Sequence, residues 1–150
     1  ELRTAEILEV KPHPNADRLY VIQIKIGEER KQIVAGIRQH YQESELVGKK
    51  VIVINNMEPA VIRGVESQGM LLAAETSDGK TVEVLEAKDS KPGDQVFIDS
   101  IIPISATIKY EDFSKIRIIV DSSKVMHNNR QLKTSSENIT TQLVKEGKVR

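Results

Sequence analysis

Two stretches of this chain concentrate side chains that could act on a ligand, and what they offer is charge and hydrogen bonding rather than bond-breaking. The first is Lys11-Pro12-His13-Pro14-Asn15-Ala16-Asp17-Arg18-Leu19. Its two prolines fix the backbone, Asn15 and Asp17 can bond local amides, and Lys11, His13 and Arg18 project charge or hydrogen-bonding capacity. The second runs from Glu58 to Ala73, with Arg63 as its cation and with Gly64 and Gly69 flanking Ser67 and Gln68. Glycine at such positions permits a bulge or the close approach of another backbone. Met70 by itself is expected to pack in a core. The plain alternative for the first stretch is a rigid connecting loop.

No residues arm a nucleophile. The histidines, serines and acids form no recognisable constellation, and G-x-S-x-G, H-E-x-x-H, G-x-x-x-x-G-K-[ST] and G-x-G-x-x-G are all missing. With no Cys there are no disulfides, thiolate nucleophiles or structural zinc sites. The carboxylates are scattered, as on a solvated surface. The expectation is a non-enzyme with no cofactor and no metal. Asn138-Ile139-Thr140 fits a glycosylation sequon, a pattern common by chance.

The elements that must position these stretches read as strands. Val and Ile number 33 against 9 Leu and 8 Ala, and β-branched side chains suit a pleated sheet, so an all-β fold is expected. Ile22 to Ile26 alternates apolar and polar, as a strand with one wet face does. Val51-Ile52-Val53-Ile54 is continuously apolar and predicts a strand covered on both faces. Residues 7–10, 32–35, 69–75 and 81–85 are further strand candidates, and Ser77-Asp78-Gly79-Lys80 reads as a hairpin turn. Short strands separated by turn residues suggest a small barrel or sandwich. Residues 42–47 predict one or two turns of helix. Residues 111–120 fit either a helix capped by Asp112, with Phe113, Ile116 and Ile119 or Val120 on its apolar face, or a strand at 117–120.

The chain has 150 residues, and its 22 Lys+Arg balance 22 Asp+Glu, so no global field draws it to nucleic acid or anionic membrane. Apolar residues at 39% and charged residues at 29% are a globular balance. No apolar run approaches about 20 residues, so no membrane partner is expected. The chain starts Glu1-Leu2-Arg3, which suggests a piece of a longer polypeptide. Neutrality hides an asymmetry. Residues 1–100 hold 13 basic and 17 acidic side chains, whereas residues 101–150 hold 9 and 5. A break near Ser100 is expected, with Pro103 in an extended crossing segment.

H-P-N-A-D-R-L at 13–19 and R-G-V-E-S-Q-G-M-L-L-A-A at 63–74 together resemble the two signature segments of the tRNA-binding domain family. These are small OB-fold barrels appended to methionyl- and tyrosyl-tRNA synthetases, or free tRNA-binding proteins. Val34-Ala35-Gly36-Ile37, Val47 to Val51, Asn55 to Ala60 and Lys91-Pro92-Gly93-Asp94 fit the family's intervening pieces in order, over residues 2–98. The tail is similar in length and position to the extension of the endothelial monocyte-activating polypeptide II group, which imitates a dimer interface within one chain. Here Phe113 stands where a Trp is expected, and Glu111-Asp112 interrupts the basic run at 109–116.

The resemblance implies a five-stranded OB-fold barrel with a short capping helix at 1–100 and a small C-terminal extension packed on it at 101–150. It implies a non-catalytic, cytoplasmic tRNA-binding module, most simply of a methionyl-tRNA synthetase, that raises local tRNA concentration and works as a monomer with an internal pseudo-dimer. Its partners would be tRNA and a parent or partner aminoacyl-tRNA synthetase. A protein-interaction or cytokine-like signalling module is the alternative. OB barrels hold oligonucleotides across strands 2–3 between the loops joining strands 1–2 and 4–5. Residues 11–18 and 58–69 would be those two loops, converging at one end. Lys11, Arg18, Lys31, Arg38 and Arg63 would then neutralise phosphates. Asn15, Asn55, Asn56, Ser67 and Gln68 would offer neutral hydrogen bonds, and His13 and Met70 would meet an unstacked base. With five aromatics in 150 residues, recognition of tRNA shape and backbone is favoured over a stacking platform.

Overall fold

The alternation at Tyr20–Ile26 produces a strand whose Tyr20, Ile22, Ile24 and Ile26 are all buried. In the computed structural model, which describes residues 1–98 and 107–150, this strand (β2) lies between β1 (Leu2–Pro12) and β3 (Glu29–Ala35). Then follow α1 (Glu43–Leu46), β4 (Lys50–Ile54), β5 (Ala60–Ile62), β6 (Val65–Ser67), β7 (Met70–Leu71), β8 (Ala73–Glu75), β9 (Val82–Val84) and β10 (Gln95–Val96). The C-terminal segment adds α2 (Tyr110–Phe113), β11 (Ile119–Asp121), β12 (Lys124–His127), β13 (Arg130–Gln131) and β14 (Glu146–Val149).

The first sheet is antiparallel in the order β3-β2-β1-β4-β7, with β10 also on β1. β1 serves two neighbours in succession. Its first half pairs with β4, from Leu2↔Ile54 to Glu6↔Lys50, and its second half with β2, from Glu6↔Lys25 to Pro12↔Tyr20. The register slips between Ile7 and Glu9, leaving Leu8 as a bulge. A bulge bends its strand and adds right-handed twist. The sheet therefore curls into an open half-barrel. α1 closes its lower end with Leu46 fully buried, and the Glu45 carboxylate accepts the N–H of Gln42 at 2.8 Å.

β4 is the wall between two cores, which is why its run is apolar at every position. Val51 and Val53 join Ile7, Ile22, Ile24 and Ile33 inside the half-barrel. Ile52 and Ile54 face the other way, onto Leu72, Leu85, Ile118, Val125 and Ile139. The second core is thus shared with the C-terminal segment, which packs on the first part through the second sheet, ordered β13-β12-β11-β14-β8-β9. There β14 pairs with β8 at Lys148↔Glu75 and Val149↔Ala74.

The turn between β8 and β9 is held by Asp78, whose Oδ1 accepts from the Thr76 hydroxyl at 2.6 Å and from the Lys80 N–H at 3.0 Å. These bonds, the hydroxyl's first, keep the Asp78 carboxyl below its ordinary 3.8. A carboxyl that binds its proton less tightly when folded stabilises the fold above its unfolded value and loses that contribution as pH falls through it. The melting temperature should therefore drop on acidification below about pH 4, and Asp78→Asn should blunt that part of the drop in a pH series of thermal melts.

The ambiguous stretch at 111–120 resolves into both readings, helix then strand. Lys109 rather than Asp112 precedes the helix; Asp112 sits inside it, Phe113 is buried, and Ile116 is 41% exposed beyond its end. The boundary expected near Ser100 and the crossing at Pro103 lie outside the described residues. No helix among the described residues is long and apolar enough to cross a membrane.

Candidate nucleic-acid interface

The turn at the tip of the β5–β6 hairpin has two residues, Arg63 and Gly64, with φ of 52° and 89°. Positive φ at both central positions is the hairpin turn whose twist matches its strands, and it costs a non-glycine residue strain at Arg63. That strain is held by the loop after β1. The Asn15 side-chain amide donates to the Arg63 carbonyl at 3.3 Å, and the Arg63 guanidinium donates to the Asn15 carbonyl at 3.1 Å. His13 is buried beneath them. The Asn15 N–H donates to its Nδ1 at 3.0 Å, and its Nε2 lies 2.9 Å from the Ile62 carbonyl. A backbone N–H only donates and a carbonyl only accepts, so the ring is the neutral Nε2–H tautomer. Two stretches some fifty positions apart in sequence are thus clasped at one end of the sheet.

The second half of the hairpin is fastened to β3. Buried Ser67 accepts the Val34 N–H at 2.9 Å and donates to the Gly69 carbonyl at 3.0 Å. Gln68 behaves as a pairing strand would: its N–H donates to the Gln32 carbonyl at 2.8 Å and its Oε1 accepts the Gln32 N–H at 2.9 Å. A third group forms around the start of β1. Lys31 donates to the Asn55 carbonyl and Oδ1, both at 3.0 Å; Asn55 donates to the Glu1 carboxylate at 2.9 Å; and Asn56 accepts from the Glu1 amino group at 2.6 Å. His13, Ser67, Gln68, Lys31, Asn55 and Asn56 therefore direct hydrogen bonds inward, onto the protein's own backbone and side chains.

The cations that face outward are fewer. Arg18 is exposed, and Lys11 is exposed beside Glu9 at 3.2 Å, a solvated pair of little energetic weight. Arg63 is exposed although it is tied to Asn15. Arg38 is half-buried, donating to the Ala16 carbonyl at 3.4 Å with its guanidinium 6.0 Å from the Tyr20 ring centre. Met70 is half-buried and lines a cavity with Ser67. The sequence did not single out Tyr110 or Arg150, which line the same cavity; nothing in their local spacing marks them. Among the described residues no three potential metal ligands cluster. Burial pushes the hydroxyl of Tyr41, under the half-barrel, above its ordinary value.

Residues 2–95 match the family model described as "Putative tRNA binding domain". The chain belongs to this tRNA-binding domain family. The motifs clasped at 13–19 and 63–67 lie within the matched span. The chain is 53% identical over 85 residues to a methionine–tRNA ligase of Thermococcus kodakarensis, covering 57% of this chain and 11% of that protein. It is 31% identical to the methionine–tRNA ligase of Borrelia duttonii over 99% of this chain and 22% of that one. It thus spans about a tenth to a fifth of these relatives. In structure it is similar to the C-terminal domain of Plasmodium vivax p43, with a TM-score of 0.89 at 24% identity, covering 99% of this chain and 95% of that one. That likeness takes in the C-terminal sheet as well as the family's matched span, so the chain has the fold of the p43 domain.

Proposed function

We propose that this chain is a non-catalytic tRNA-binding module of a methionyl-tRNA synthetase, acting in the cytoplasm to raise the concentration of tRNA near the catalytic body. The clasp of loop 13–19 to the β5–β6 hairpin carries the reading, because it gathers the family's two signature segments onto one surface. Residues 1–100 are read as the five-stranded OB-fold barrel, completed where Ser67 and Gln68 bond β3. Residues 101–150 are read as an extension that imitates a dimer interface, leaving the chain a monomer.

On this surface Lys11, Arg18, Arg38 and Arg63 neutralise phosphates, Asn15 stands against Arg63, and Met70 lines the cavity beside the same hairpin. His13, Ser67, Gln68, Lys31, Asn55 and Asn56 act by shaping the loops that present those groups. Four phosphate contacts and zero net charge give weak binding, and tethering makes weak binding effective. An anisotropy titration with bulk tRNA tests this. The slope of log K against log salt should be about −0.7 per phosphate contacted, so about −3 for four. Arg18→Ala should flatten the slope by about 0.7 and leave the melting temperature unchanged, since the side chain is exposed. A slope near zero would instead favour a protein-docking role.

A further inference from the structure

Between β3, the β5–β6 hairpin and α2 the protein encloses an open cavity of about 500 Å³, within the range of small-ligand clefts. Its walls are predominantly apolar, with Met57, Ile62 and Met70 among them, and its exposed margin includes Glu58, Tyr110 and Arg150. The first part of the chain and the C-terminal segment both contribute. Tyr110 stands out among the five aromatics. Tyr20 and Phe113 are buried, Tyr41 packs on the core with its hydroxyl accepting the Val84 N–H, and Phe97 lies 5.8 Å from the Lys133 ammonium. Only Tyr110 presents its ring to solvent, 62% exposed, and it does so at the mouth of an apolar cavity.

We propose that this cavity takes one unstacked nucleobase of the bound RNA, with the Tyr110 ring against its face. The inference rests on the tRNA-binding reading and adds a base-dependent subsite to a surface otherwise led by phosphate contacts. A nucleobase has two apolar faces, a polar edge and a phosphate at either side. The cavity offers a counterpart to each: apolar walls with polarizable Met70, the Glu58 carboxylate, and the cation Arg150. Among the described residues, the Arg150 guanidinium makes long contacts, 3.4 Å to the Gly36 carbonyl and 3.5 Å to Glu75. Glu58 can only accept, so it meets a donor on the base edge, the exocyclic amino group of adenine or cytosine or the N3–H of uracil. Cavity and clasp are continuous, because Ile62 and Ser67 belong to the same hairpin that carries Arg63.

The test uses the whole 150-residue chain with adenosine, cytidine and uridine monophosphates, and ribose 5-phosphate as the baseless control, followed by NMR at the Met70 methyl and Tyr110 ring. Both signals should move with the adenosine, cytidine and uridine nucleotides, and not with ribose 5-phosphate. Tyr110→Ala should weaken bulk tRNA binding about tenfold and Tyr110→Phe should not, since stacking needs the ring and not the hydroxyl. Ala60→Trp, which adds a ring at an exposed wall position, should weaken it similarly without lowering the melting temperature. Equal shifts with ribose 5-phosphate, or displacement only by an apolar peptide, overturn the base subsite. If tRNA still binds with its steep salt slope in that case, the module reading stands without the subsite. A chain that binds no tRNA overturns both.

Discussion

Replacing Glu83 by Ala should cost about 3–5 kcal/mol and release the C-terminal sheet from the first part of the chain. Glu83 is buried in the middle of β9, and its carboxylate accepts three successive backbone N–H groups from the approach to β14. Oε2 takes that of Gln142 at 2.8 Å, and Oε1 takes those of Leu143 at 2.7 Å and Val144 at 3.0 Å. Bonds to a charged acceptor are each worth more than neutral ones, and truncation strands three donors beside the fully buried Val144. The Thr141 hydroxyl, which donates to the Val144 carbonyl, stiffens the same loop and cannot replace the carboxylate. Glu83→Gln keeps the shape and one accepting oxygen but turns an NH2 toward N–H donors, so it should cost about half as much. Urea unfolding gives the free energies. Limited proteolysis shows where the loss falls, with cleavage appearing first near 141–145 in Glu83→Ala. An unchanged urea midpoint would show that the carboxylate does not hold the tail.

Gly147→Ala should be nearly as damaging, through shape alone. Gly147 pairs with Val120 in β11 and lies against the backbone of β8. A Cβ there would stand 2.1 Å from the Glu75 carbonyl oxygen and 2.9 Å from its carbon, distances no backbone neighbour tolerates. To admit the methyl, β14 and β8 must separate, which breaks the pairing at Lys148↔Glu75 and Val149↔Ala74 and the reciprocal bonds between Arg150 and Ala73. The expected loss is about 3 kcal/mol. Gly36→Ala is the matched control, since its Cβ would meet only Leu19 Cδ2 at an ordinary 3.7 Å and should leave stability within about 0.5 kcal/mol. Both damaging changes act on one seam, so combining them should cost less than their sum. Because Arg150 leaves the cavity when β14 lets go, Gly147→Ala should also weaken the nucleotide response at Met70. A Gly147→Ala protein as stable as Gly36→Ala would overturn this account of the seam.

Several strands were legible because pleated strands write their burial into the sequence. The period-two pattern of 22–26 and the unbroken run at 51–54 each stated how many faces would be covered, and both statements hold in β2 and β4. The stretch at 111–120 was not decidable, because a four-residue helix followed by a three-residue strand is shorter than either period needs to declare itself. The signature stretches were legible as a pair, yet the division of labour inside them was not. Asn, Ser, Gln and His look alike in sequence whether their hydrogen bonds reach outward or inward. His13 could be read as a flat surface for a base, whereas both its nitrogens are spent on Asn15 and Ile62.

The sequence by itself determined the all-β class, the strands that build the half-barrel, the family and the two segments that define it. Those follow from local periodicity and from residue order, which the chain carries along its length. Only the tertiary structure decided that the Arg63 turn is braced by Asn15, that Glu83 clamps a loop some sixty positions away, and that Tyr110 meets Met70 across one cavity. Each is a contact between segments with no fixed spacing. Which cations stay exposed is decided there too. A lysine such as Lys31 is drawn onto Asn55 where the fold supplies acceptors, while Arg18 stays exposed to solvent.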